Sequence, residues 1–95
     1  MVVPERTLRL FPGLAAADLA EPTAGGRDLL IGRLLEEGDG EDLRWLVAAL
    51  GEPALAEWLA RRGWRLSPRS LPFWELVLGR RAPARPAAAA ELWPL

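Results

Sequence analysis

Any chemistry in this chain would have to come from 4 hydroxyls and 13 carboxylates. The hydroxyls are Thr7, Thr23, Ser67 and Ser70, and the 12 basic residues that balance the acids are all arginine. No His, Lys, Cys, Tyr, Asn or Gln occurs. A serine or threonine becomes a nucleophile beside a base that takes its proton, and the usual bases, His and Lys, are missing. Zinc, copper and iron–sulfur centres rest on imidazole or thiolate, so none of that kind can be assembled. The acidic run at 36–42, EEGDGED, does not follow a calcium loop, which places oxygen ligands at alternate positions and closes with a glutamate. The expectation is a chain that is not an enzyme and carries no cofactor and no metal.

Two residue types remain suited to recognition. Arg61, Arg62, Arg65 and Arg69 surround a segment with the outline of a helix-turn-helix over 53–79, and guanidinium groups can meet nucleic-acid phosphates through charge alone. Against this, a recognition helix must offer polar groups to base edges, whereas the segment LPFWELVLG offers Phe73, Trp74, Leu76, Val77 and Leu78. The chain also holds 5 tryptophans. Trp58 falls in an apolar stripe and reads as core. Trp45 points away from its helix's stripe, so it either packs on the N-terminal segment or anchors a partner. Trp74 and Trp93 are the other candidate partner contacts, Trp93 within the unusually apolar ending ELWPL.

The elements that must position these residues are helices. Residues 1–26 read as an extended arm and loop: Pro4 and Pro12 limit regular structure, Leu8, Leu10 and Phe11 serve as anchors, a short helical turn falls near Ala15 to Ala20, and Pro22, Gly25 and Gly26 mark a loop. The first main helix spans about Arg27 to Glu37, with Leu30, Ile31, Leu34 and Leu35 on one face. Gly38 ends it. Asp39 caps the second helix, with Asp42 in the capping-box position and a stripe of Leu43, Leu46, Val47 and Leu50. The third helix runs from about Pro53 to Arg62 with Leu55, Trp58 and Leu59 inward. Ser67-Pro68 announces a fourth, starting there or a turn later after Ser70 and Pro72, and ending at Gly79. It is apolar nearly all round. Phe73 and Val77 share one face and Trp74 and Leu78 another, with Phe73 expected in the core. From residue 80 on, RRAPARPAAAAELWPL reads as a flexible tail.

The fold expected is therefore all-α, a small bundle of about four short helices over 27–79, between the arm (1–26) and the tail (80–95). Charge is divided along the chain: residues 1–60 hold five arginines against eleven acids, residues 61–95 seven against two, giving −6 and +5. Such halves suit oppositely charged partners or plain solvated faces. No apolar run reaches the roughly eighteen residues of a membrane span. The opening MVVPERTLRL has no signal-peptide pattern, so a cytoplasmic location is expected.

The segments LLIGRLLEEGDGEDLRWLVAALG and LSPRSLPFWELVLG resemble a family of short, uncharacterised bacterial helical proteins. The resemblance rests on an apolar helix followed by Gly38-Asp39, Asp42, Trp45-Leu46 and Gly51, then Leu66-Ser67-Pro68, Phe73-Trp74 and Gly79. It covers about residues 8–79 and departs at Pro72 and in the Ala/Pro tail. Members are often encoded beside nucleotidyltransferase toxins of the abortive-infection class. The resemblance thus implies a non-catalytic, antitoxin-like module that binds a protein partner, a toxin. The alternative is a small DNA-binding regulator contacting nucleic acid through Arg61, Arg62, Arg65 and Arg69. Homo-oligomerisation is compatible with either.

Overall fold

The computed structural model describes residues 2–20 and 25–85; Pro22, Thr23 and residues 86–95, with Trp93, lie outside the described residues. Among the described residues the chain is mostly helical and holds no strand. A 3-10 helix (Glu5–Leu10) precedes α1 (Ala16–Ala20), α2 (Gly26–Glu37), α3 (Gly40–Leu50) and α4 (Glu52–Arg62), and a second 3-10 turn (Gly63–Arg65) leads to α5 (Leu71–Leu78).

The N-terminal segment corrects the expectation of an extended arm. Pro4 is itself extended (φ −60°, ψ 144°), but its carbonyl accepts from the Thr7 amide at 3.0 Å and the chain coils into the 3-10 helix. Val3, Thr7 and Phe11 recur at intervals of four and all three are buried. Prolines that bar a helix interior are tolerated at its borders, so the segment between Pro4 and Pro12 is free to turn. Leu19 of α1 is also buried, and with Val3 and Phe11 it belongs to the same core as the later helices.

That core is organised around α2, which packs against α1, α3 and α4, while α5 packs against α4. The expected stripe of α2, Leu30, Ile31, Leu34 and Leu35, is buried throughout. Leu55, Trp58 and Leu59 of α4 are buried with it, and Gly32 seats the Trp58 ring: a Cβ there would stand 3.2 Å from it. At the start of α2, a Cβ on Gly26 would collide with the backbone carbonyl of Asp18, so glycine alone permits that approach of α1 to α2.

The punctuation of α3 matches its sequence signal. The Asp39 side chain accepts from the Glu41 and Asp42 amides, and the Asp42 side chain accepts from the Asp39 amide, forming a reciprocal capping box. Leu46 is buried, but Val47 faces solvent, a departure from the expected stripe. Ser67-Pro68 opens a turn, in which the Ser67 hydroxyl accepts from the Ser70 amide at 3.2 Å, and α5 begins after it at Leu71.

Residues 80–85, the start of the expected tail, hold no regular secondary structure. The Ala82 amide donates to Glu75 at 2.9 Å. The missing side chain of buried Gly63 leaves room for the Ala82 methyl, which would stand 2.7 Å from a Cβ at that position.

Candidate functional site

Because α5 is apolar nearly all round, periodicity could not choose its buried face; the helix it packs on does. Trp74 turns inward, 9% exposed, and Leu71 and Leu78 pack beside it against the core. The Trp74 indole nitrogen donates to the Leu35 carbonyl at 2.7 Å, satisfying one of the carbonyls that the last turn of α2 leaves without an intrahelical partner. This corrects two expectations: Trp74 is spent inside the chain rather than presented to a partner, and Phe73 is not a core residue. Phe73, Leu76 and Val77 are 56%, 82% and 53% exposed. Their spacing of three and four places them on one helix face, so α5 displays an uncovered apolar strip. The Phe73 ring meets Trp74 edge-on with centroids 4.9 Å apart, which fixes the inner side of that strip.

The arginines proposed for nucleic-acid contact do not form one free basic face. Arg61 lies 4.0 Å from Glu57 on its own helix, and Arg62 lies 3.7 Å from Asp28 of α2. The Arg65 guanidinium stacks over the Trp64 ring at 5.3 Å. Arg69 is exposed in the turn before α5, where its charge acts on Glu36. Three of the four thus have partners within the chain.

Two of the four hydroxyls converge on one carboxylate. Glu36 accepts from the Ser67 amide at 2.7 Å, from the Ser67 hydroxyl at 2.9 Å and from the Ser70 hydroxyl. Burial alone would raise the pKa of Glu36, but these hydrogen bonds and nearby Arg69 outweigh it and hold the carboxyl below its ordinary value. A carboxylate stabilised in this way is a weak base. The cluster clasps the α2 C-terminus to the turn before α5. The partners of Glu36 lie 31 and 34 positions away, beyond the reach of any local pattern.

A second polar cluster ties the N-terminal segment to α3. The Asp42 side chain, fully buried, accepts from Thr7 at 2.9 Å, from both terminal nitrogens of Arg9 at 3.3 and 2.8 Å, and from Arg6 at 3.2 Å. Arg6 also donates to Asp39 at 2.8 Å. The Arg9 hydrogen bond lowers the Asp42 pKa, and the Arg6 hydrogen bond holds Asp39 far below the usual carboxylate range. The acidic run at 36–42 is thus divided among the two serines, the α3 cap and arginines, and no group of three or more potential metal ligands is gathered among the described residues.

Of the remaining tryptophans, Trp45 is half-buried against the core. Trp64 is also half-buried and lines an open cleft with Leu66, Pro68 and Arg85. Trp93 lies outside the described residues. No helix among the described residues is long and apolar enough to cross a membrane. Comparison with protein-family models, with curated proteins and with solved structures finds no match for this chain.

Proposed function

We propose that this chain is a non-catalytic protein-interaction module that acts as the antitoxin-like partner of a nucleotidyltransferase-type toxin in the bacterial cytoplasm. The observation that carries the interaction part is the outer face of α5, where Phe73, Leu76 and Val77 are left uncovered side by side. Contiguous exposed apolar surface, rimmed by polar residues, is a feature of contact sites. The toxin as partner rests on the resemblance of LLIGRLLEEGDGEDLRWLVAALG and LSPRSLPFWELVLG to proteins encoded beside such enzymes. Support for a non-catalytic role comes from the absent His, Lys and Cys and from the use of Ser67 and Ser70 as donors to Glu36.

A small DNA-binding regulator is the weaker alternative. In its favour, α4, the turn and α5 follow in helix-turn-helix order, and Arg65 and Arg69 are exposed. Against it, the outward residues of α5 offer no hydrogen bond to a base edge.

The deciding experiment is a growth assay. A nucleotidyltransferase encoded beside this chain should arrest cells when expressed alone and release them when the chain is supplied. An adjacent enzyme that is not neutralised, or no such neighbouring gene, overturns the antitoxin reading. Tight duplex binding by the purified chain that weakens steeply between low and moderate salt would favour the alternative instead.

A further inference from the structure

We infer that the exposed face of α5 is a seat for an amphipathic helix whose apolar seam is bordered by acidic residues, supplied by a different protein. This rests on the interaction-module reading and names the chemistry of the partner. The strip of Phe73, Leu76 and Val77 is the right kind of surface for a helix laid along it, which would contribute side chains at positions i, i+3, i+4 and i+7. The ends of the strip are cationic. Exposed Arg69 precedes the first residue of α5, and exposed Arg80 and Arg81 follow the Gly79 cap. None of the three takes part in an ion pair among the described residues. The one acid of α5, Glu75, is turned to the Ala82 amide. The strip is therefore apolar in the middle and positive at both ends, the complement of an acid-flanked helix.

The same charges argue against a second copy of the chain as occupant. In a two-fold symmetric pair, antiparallel α5 helices bring Arg69 against Arg80 and Arg81 of the other copy, and parallel ones bring each arginine against its equivalent. Like charges meet in both arrangements and disfavour them.

The test uses two dye-labelled helical peptides sharing a leucine seam at i, i+3, i+4 and i+7, one flanked by glutamates and its twin by lysines, titrated with the full chain. The glutamate peptide should bind at least about tenfold tighter than its twin at low salt, with the gap closing toward about 1 M salt. Leu76→Ala should weaken it about tenfold or more with the thermal midpoint unchanged, and the double variant Arg80→Glu, Arg81→Glu should reverse the preference between twins. Equal binding of the two peptides, no binding of the glutamate peptide, or indifference to Leu76→Ala overturns the proposal. Self-association in sedimentation equilibrium that Leu76→Ala abolishes would make the occupant a second copy; the acidic partner then falls while the interaction module stands. The growth assay judges the antitoxin reading independently of these peptides.

Discussion

The indole nitrogen of Trp74 reaches across 39 positions of sequence to the carbonyl of Leu35, 2.7 Å away. That contact makes α5 a lid on the C-terminal end of α2 and decides which of its aromatic residues is structural. Trp74→Ala should cost about 3–5 kcal/mol, the range for truncating a buried aromatic. Phe73→Ala, on the exposed side, should stay within about 0.5 kcal/mol. Chemical denaturation followed by circular dichroism separates them, and similar losses for both would contradict the assignment of faces.

The clasp between Thr7, Arg9 and Asp42 makes a stability prediction of its own. Asp42→Ala strands the buried Thr7 hydroxyl and removes one half of a capping box, which should cost about 1–3 kcal/mol. The two arginines are partly in water and add little to that figure. Thr7→Val should be milder, since it removes one donor and keeps the shape. If Asp42→Ala melts with the parent protein, the N-terminal 3-10 helix is not anchored as described.

Acid should weaken the fold in a defined window. Glu36 and Asp42 both have lowered pKa values in the folded chain, so the unfolded chain takes up protons first as pH falls. Their contribution is present in full above the unfolded values of about 4.3 and 3.9 and is lost as pH falls through the lower folded values. The thermal midpoint should therefore be level from neutrality to about pH 5 and drop below about pH 4. In the double variant Glu36→Gln, Asp42→Asn the drop should be shallower, at a lower starting stability. An equally steep loss in that variant would assign the acid sensitivity to other carboxylates.

Gly26→Ala tests the approach of α1 to α2. The added methyl meets the Asp18 backbone carbonyl, which cannot rotate aside as a side chain would. A loss of about 1–3 kcal/mol is expected, as for overpacking elsewhere. Gly40→Ala is the control, because its nearest neighbour is the mobile end of Arg44 at 3.6 Å, and its effect should be small.

Helix existence was legible from local rules: the Asp39–Asp42 box, the Leu30-Ile31-Leu34-Leu35 stripe and the Ser67 turn all act within a few residues of their own position. The face of α5 was not legible, because a helix with one charge in LPFWELVLG carries no periodic contrast. The N-terminal segment misled for a different reason. Its two prolines suggest an extended arm, and a 3-10 helix whose one buried residue is Thr7 carries no apolar stripe to announce it. What binds that threonine inside is Asp42, 35 positions on, and no local pattern announces such a partner. The role of Glu36 is hidden on the same grounds, its serine partners lying 31 and 34 positions on. The candidate interface follows the same limits: the sequence offers Trp74 to a partner, whereas the packing of α5 turns Trp74 inward and leaves Phe73, Leu76 and Val77 outside.

The dependence of the N-terminal 3-10 helix on Asp39 and Asp42 also sets an order of assembly. During synthesis Arg6, Thr7 and Arg9 leave the ribosome ahead of their carboxylate partners by at least 30 positions, and a short 3-10 turn has little persistence alone. Local turns such as α2 and the box at the start of α3 close small loops, whereas the N-terminal clasp must close a long one. These residues are thus fixed late, and the Arg33 side of α2, where the Phe11 ring comes to rest 6.0 Å from the guanidinium, stays open until then.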